Sequence, residues 1–249
     1  MPDNFFKILY LDEVGSTNEY AAALLNEQHP PEGTTIVTGN QTSGKGRRQR
    51  EWHSEPGKNL TFSIILYPGF LEAGKQFYLS VAAALSVVEM LDEIVEGISV
   101  KWPNDIYLDN DKVAGILIEN ILYGNHLGSS ILGIGINVNE SPMPSGLGAV
   151  SLKQATGKTF STGDLLQRIL LKFLANYNRL RQSRFEEMKS VYEARLCFSG
   201  RESVFEKEDM IIRARVKGIN DFGHIILILP DGSELTGSMD ELTWQGFVT

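Results

Sequence analysis

The chain has 249 residues, 42% of them hydrophobic and 22% charged, which describes an ordinary globular protein with enough length for a sizeable core. A single cysteine, Cys197, excludes a disulfide framework and a cysteine-rich zinc site within the chain, and suits a reducing cytoplasm. The 23 Lys and Arg against 31 Asp and Glu leave a formal net charge of −8, which argues against non-specific binding to nucleic acid or anionic membrane and allows only a local patch of the opposite sign.

In chain order, Met1-Pro2-Asp3-Asn4 lacks the basic and apolar regions of a signal peptide. No apolar run approaches the roughly 20 residues of a spanning helix, so no membrane partner is expected. Phe5 to Leu11 predicts a short strand. Ser16 followed three residues later by Glu19 has the spacing of a capping box and predicts a helix through Tyr20 to Leu25. Thr34 to Thr38 is β-branched and strand-like. Asn40 to Asn59 carries almost no aliphatic residues and predicts a long loop. Leu60 to Tyr67 predicts a strand. Lys75 to Ile94 predicts a helix, with Phe77, Val81, Leu85, Val88 and Leu91 near one face. Ile98 to Trp102, Ile106 to Leu108, Val113 to Leu122 and Ser130 to Val138 predict strands joined by hairpin turns. Asp164 to Leu180 predicts a second amphipathic helix that continues through Phe185 to Leu196.

The pattern changes at Cys197. Met210 to Val216, His224 to Leu229 and Glu234 to Thr236 are short strands, with turn signals at Asn220-Asp221 and Pro230-Asp231-Gly232. A small β-barrel appended to an α+β domain accounts for this, with residues 1–196 as one unit and 197–249 as the other.

Gly44-Lys45-Gly46-Arg47-Arg48-Gln49-Arg50 packs four basic side chains into seven residues of an otherwise acidic chain. In isolation such a run reads as a solvated surface. Here glycines flank the lysine, which lets backbone N–H groups approach a ligand, and Trp52 follows closely. Glycine, fixed cations and an aromatic plane together suit a nucleotide. The segment Gly39 to Lys45 spells most of a phosphate-binding P-loop, but Gly46 stands where Ser or Thr would hold magnesium, and no apolar helix follows. Gly133-Ile134-Gly135 begins a dinucleotide fingerprint and lacks its third glycine. The four histidines are scattered and form no metal motif.

A second cluster is Lys101-Trp102-Pro103-Asn104-Asp105, followed by Lys112-Val113-Ala114-Gly115-Ile116-Leu117. Pro103 in a strand pattern demands a bend or an edge position, where Asn104 and Asp105 present polar groups. Alone, Lys112 reads as a hairpin lysine facing water, and Asn104-Asp105 as a turn.

Taken together, these segments, with Ser16-Thr17-Asn18 and Gly133-Ile134-Gly135-Ile136-Asn137, resemble the biotin protein ligases. Five motifs occur in the family's order over residues 5 to 140. The resemblance implies a core like that of class II aminoacyl-tRNA synthetases and an SH3-like C-terminal unit. It implies biotin, ATP and Mg²⁺ as ligands, with a biotin carboxyl carrier domain as protein partner. It also implies roles. Lys112 and Arg47 are the catalytic candidates. Ser16, Thr17, Asn18, Gln41, Gly44, Lys45, Gly46, Arg47, Lys112, Gly115 and Gly133 would bind biotin. Arg47, Arg48, Arg50, Trp52, Asn104, Lys112 and Asn137 would bind ATP, the metal's own ligands being unassigned. Lys45 departs from the family's usual arginine and loses its planar fork, and Gln49 stands where a small residue is common. Ser16 follows only fifteen residues, so no DNA-binding domain and no DNA partner are expected. The oligomeric state is open, a homodimer included. Two alternatives stand beside this reading: a lipoate-type ligase of the same fold, and a non-catalytic RNA-binding module using the basic loop and Trp52.

Overall fold

The computed structural model describes residues 5–197 and 201–247. Met1-Pro2-Asp3-Asn4 and the side chain of Gln49 lie outside what is described. Two sheets organise the chain. The larger is built from β1 (Lys7–Val14), β2 (Thr34–Gln41), β3 (Leu60–Leu66), β4 (Ile98–Lys101), β5 (Asp105–Leu108), β6 (Asp111–Tyr123) and β7 (His126–Ile136). Its order is β1-β2-β3-β7-β6-β5-β4, with β1–β2 parallel and the other pairs antiparallel.

Among the described residues, five α-helices accompany this sheet: α1 (Thr17–Glu27), α2 (Phe77–Leu91), α3 (Leu152–Thr156), α4 (Thr162–Arg181) and α5 (Phe185–Ala194). Helix α2 is apolar nearly all round, because it is buried between the sheet, α4 and α5. Strand alternation sorts the central strands. Leu60, Phe62, Ile64, Ile134, Ile136, Ala114 and Ile116 join the core under α2. On the opposite face, α1 packs Ala21 onto Ile36, Ile65 and Ile131. A buried polar pair between α2 and α4 is satisfied: Asn176 Nδ2 donates to Ser86 Oγ at 3.1 Å, and Ser86 Oγ donates to Ala82 O at 2.6 Å.

The second sheet comprises β8 (Glu202–Lys207), β9 (Met210–Ile219), β10 (Ile225–Ile228), β11 (Glu234–Gly237) and β12 (Thr243–Phe247), all antiparallel, in the order β11-β10-β9-β8-β12. The expected turns are present: Asn220 Oδ1 accepts from the N–H groups of Phe222 and His224, and Asp231 Oδ1 from that of Ser233. This sheet docks on the elements around the larger one. Trp102 Nε1 donates to Gly223 O at 2.9 Å, and Glu193 Oε1 accepts from Ile219 N at 2.8 Å. Gly223 has φ 79°, and a Cβ there would lie 2.0 Å from the Phe77 ring, so only glycine permits the contact.

The α+β architecture with a small β unit is as expected. Several local expectations are corrected. Ser16 stands at the N-cap of α1, but its hydroxyl makes no cap bond, and Glu19 pairs with Lys45 instead of turning back to the backbone. The second long helix does not continue: Ser183 adopts φ 56°, and α5 begins anew at Phe185. Strand β2 runs on into the expected loop as far as Gln41. Helix α3 and strands β8 and β12 were not expected. No helix among the described residues is long and apolar enough to cross a membrane.

Candidate active site

The floor of the site is the sheet face opposite α2. Register places Thr61, Gly135 and Gly115 in one row across β3, β7 and β6, and Ser63, Gly133 and Leu117 in the next. Glycines at both β7 positions leave a trough where side chains would otherwise stand. A Cβ on Gly133 would come 2.3 Å from Asn18 Oδ1, and one on Gly135 would come 2.4 Å from the Trp52 indole. These two close approaches explain the incomplete dinucleotide fingerprint: the glycines lie inside a strand and clear space above it.

Over the trough lies a cavity of about 220 Å³. One end is a buried polar network. Gln41 Oε1 accepts from the Thr17 backbone N–H at 2.9 Å and from its hydroxyl at 3.2 Å. Ser63 Oγ lies 2.7 Å from Thr17 Oγ1 and 2.6 Å from Asn18 Oδ1. Asn18 Nδ2 donates to Glu119 Oε2 at 2.7 Å. Ser16, Thr17 and Asn18 are all buried. A motif that reads as a helix cap in the sequence therefore serves as a polar wall.

The roof is the glycine-basic loop. It closes on itself through Gly46 N to Arg50 O at 2.7 Å and Trp52 N to Gly44 O at 2.8 Å, around a short 3-10 turn at Arg47–Gln49. The P-loop resemblance fails, since a 3-10 turn and then β3, rather than an α-helix, come next after Lys45. Trp52 lays its ring over Gly115 and Gly135, 5.5 Å from Lys112 Nζ, with its own Nε1 buried and without a hydrogen-bond partner.

The cationic end is built on β4–β6. Lys112 Nζ pairs with Asp105 Oδ1 at 2.6 Å. Lys101 Nζ donates to Tyr107 Oη at 3.0 Å and sits over the rings of Tyr107 and Trp244. Burial lowers the Lys101 ammonium below the ordinary lysine range and pushes the Tyr107 phenol up to about 12. Burial also lowers Arg47, against the opposing pull of Asp240. Lys45 is raised by its hydrogen bond to Glu19.

Most of the residues singled out from the sequence converge here. Ser16, Thr17, Asn18 and Gln41 line one end; Lys45, Gly46, Arg47, Arg48, Arg50 and Trp52 cover the cavity; Asn104, Lys112, Gly115 and Gly133 complete it. Two do not line it. Gly44 lies behind the loop, where a Cβ would meet both Gln41 Nε2 and Trp52 O at 2.5 Å. Asn137 is buried and donates to Lys112 O at 3.2 Å and Val150 O at 3.3 Å, so it braces the backbone of Lys112 instead. Asn104 donates to Ile116 O at 2.9 Å, which fixes the turn after Pro103 at the edge of the sheet.

Sequence reasoning placed Asp105 in a motif without giving it a role, and missed Ser63, Glu119 and the whole contribution of the second sheet. Met239, Leu242, Thr243 and Trp244 line the cavity. Arg48 reaches out of the loop to donate to Met239 O at 2.8 Å and Asp240 O at 2.9 Å, with Thr243 Oγ1 at 3.3 Å. It does so from φ 53°, a conformation that costs a non-glycine residue about 1–3 kcal/mol and persists only where neighbours hold it. An alternation of glycines within β7 was the one available signal for the floor; nothing in the C-terminal segment marked Trp244.

The family model described as biotin/lipoate A/B protein ligase matches residues 10–137. The bifunctional ligase/repressor BirA of Bacillus subtilis is 34% identical over 239 residues, 94% of this chain and 73% of that protein. The biotin–[acetyl-CoA-carboxylase] ligase of Paracoccus denitrificans is 27% identical over 207 residues, 80% of this chain and 86% of its own. The biotin protein ligase of Aquifex aeolicus, solved in complex with biotin and ATP, superposes with a TM-score of 0.82 at 31% identity, covering 96% of this chain and 99% of that one. By motif order, fold and similarity alike, the chain belongs to the biotin/lipoate A/B protein ligase family.

Proposed function

We propose that this chain is an ATP-dependent biotin protein ligase. The observation that carries the reading is one cavity with a buried hydroxyl-and-amide network at one end and a cluster of lysines and arginines at the other. Biotin has that polarity, with a ureido ring at one end and a carboxylate at the other. The polar wall would bind the ring, and a ring lacking those groups would leave buried Thr17, Asn18 and Ser63 unpaired. The carboxylate would then lie toward Lys112.

The chemistry follows from that placement. A carboxylate oxygen attacks the α-phosphorus of ATP, the bond from that phosphorus to the bridging oxygen breaks, and pyrophosphate leaves as biotinyl-5'-AMP forms. Lys112 would face both anions and the charge that grows at phosphorus, so Lys112 and Arg47 act by positioning and electrostatic stabilisation. Lys101, Arg48, Arg50 and Asn104 border the same end and would serve the nucleotide. The buried indole N–H of Trp52 supplies a donor for an oxygen of the adenylate. In the second step the amine of a carrier lysine attacks the acyl carbon, loses a proton and displaces AMP, leaving an amide. The partner is a biotin carboxyl carrier domain. Residues 1–196 would form the catalytic unit and 197–249 a small unit that completes its wall.

Among the described residues no three or more His, Cys, Asp and Glu side chains are grouped to hold a metal ion. Mg²⁺ would therefore arrive with the triphosphate and be held chiefly by it. Biotin-dependent exchange of pyrophosphate into ATP, followed by transfer of biotin to a carrier domain, tests the proposal. Calorimetry separates it from the lipoate reading: lipoate binding without biotin binding would overturn it.

A further inference from the structure

Glu140 lies outside the cavity and outside every motif, yet its carboxylate is buried, with 3% of its surface exposed. Oε2 accepts from Asn59 Nδ2 at 2.5 Å and from the backbone N–H of Glu55 at 3.2 Å, while Oε1 lies 3.1 Å from His53 Nε2. The amide of Asn59 cannot turn over, because its Oδ1 accepts from Val138 N at 2.9 Å. Position 140 must therefore offer an acceptor on that side. Nearby, Asn139 N donates to Lys58 O at 2.8 Å, so the strand end after β7 clasps the descending limb of the glycine-basic loop, residues 53–59.

The segment that begins with this clasp continues to Lys112. Lys112 N donates to Gly148 O at 2.9 Å, Val150 N donates to Lys112 O at 3.0 Å, and Asn137 Nδ2 donates to the carbonyls of Lys112 and Val150. One residue before His53 stands Trp52, whose ring faces Lys112 Nζ. A single stretch, residues 137–150, thus holds the backbone of the lysine at one end and the base of the tryptophan's loop at the other.

We infer that Glu140 is a positioning residue that sets Trp52 over Lys112. The limb after Trp52 is anchored at the buried Glu140, whereas residues 44–50 before it are tied by their own backbone bonds and by exposed or half-exposed side-chain contacts of Lys45 to Glu19, Arg47 to Asp240 and Arg48 to Met239 and Asp240. Loop movement on ligand binding would pivot at His53, with residues 53–59 staying in place. The inference rests on the ligase reading for its kinetic consequence but not for its structural one.

Three variants of the full-length chain, Glu140→Ala, Glu140→Gln and His53→Ala, test it by two readouts. The first is tryptic cleavage after Arg50 and Lys58 without ligands. The second is the split between KM for biotin and kcat in pyrophosphate exchange. Glu140→Ala should speed both cleavages and raise KM by about tenfold or more, because small misplacements of positioning groups are costly. Glu140→Gln can still present an oxygen to Asn59 and Glu55 and its amide to a neutral His53, so it should stay within about threefold of wild type. His53→Ala, a half-exposed site, should shift both readouts in the same direction by less. Unchanged cleavage in Glu140→Ala, or no rescue by glutamine, overturns the inference. A wild-type chain without biotin-dependent exchange would sink the ligase reading, and the protease comparison would still decide the role of Glu140.

Discussion

Lys112 Nζ lies 2.6 Å from Asp105 Oδ1, so the cation at the centre of the site is held by a carboxylate from the neighbouring strand. The pair spans the β5–β6 hairpin at its bulge, which turns Lys112 toward the trough. Removing Lys112 therefore removes a preorganised charge and leaves Asp105 facing the incoming carboxylate and phosphates. Lys112→Ala should lower biotin-dependent pyrophosphate exchange by about 10²-fold or more, with the fold intact by circular dichroism. Near-normal exchange would contradict the role assigned to it.

The floor makes a steric prediction. Gly133→Ala places a methyl group 2.3 Å from Asn18 Oδ1, and Asn18 is tethered by Ser63 and Glu119. The amide must move, and the polar wall with it. Biotin affinity measured by calorimetry should fall by about tenfold or more, on the scale of one misplaced buried hydrogen bond. Unaltered affinity would show that Asn18 does not bind the ring.

Arg48 makes a prediction about the second sheet. Its Nη2 donates to the carbonyls of Met239 and Asp240 while its Nη1 donates to Thr243 Oγ1, a two-nitrogen fork that the single ammonium of lysine cannot reproduce. Both Arg48→Ala and Arg48→Lys should loosen the C-terminal sheet from the loop. Hydrogen exchange at residues 238–244 should rise in both variants. Equal protection in wild type and variants would count against the latch.

Lys101 carries a pH dependence. Burial lowers its pKa, so as pH rises it loses its charge before an ordinary exposed lysine does. If its ammonium faces ATP phosphates, KM for ATP should climb with pH on the alkaline side, and ATP binding should take up a proton there. Calorimetry in buffers of different ionisation enthalpy measures that uptake. Lys101→Met should bind ATP more weakly and abolish the uptake; identical proton uptake in that variant would remove Lys101 from the nucleotide site.

The loop itself offers the simplest check. Lys45, Arg47, Arg48 and Arg50 are tryptic sites on a largely exposed roof. Biotin plus ATP should protect residues 41–52 from cleavage. The same rate with and without ligands would argue against closure.

Which parts of this were legible in the sequence follows from the range of the forces involved. Periodicity is local, so the helix α2 and the amphipathic face of α4 could be read directly from it, whereas the burial of α2 on nearly every side, beyond the one face expected, follows from the sheet, α4 and α5 packing around it. Turn chemistry is local too, and Asn220 and Asp231 behave as written. The grouping of Ser16-Thr17-Asn18, the basic loop and Lys112 came through a resemblance, since nothing within any one segment brings them together. Helix capping misled at Ser16 because Glu19 had a competing partner in Lys45, distant in sequence.

By itself, then, the sequence determined the α+β class, the central helices and strands, and the concentration of positive charge in one loop of an acidic chain. The tertiary structure alone decided what that charge faces. Strand register put Gly115, Gly133 and Gly135 on one surface, the ion pair with Asp105 aimed Lys112, and the packing of Trp102 and Gly223 brought Trp244 to the cavity wall. Each of these depends on contacts between segments far apart in the chain, and register and docking are set by the sum of such contacts rather than by local preference.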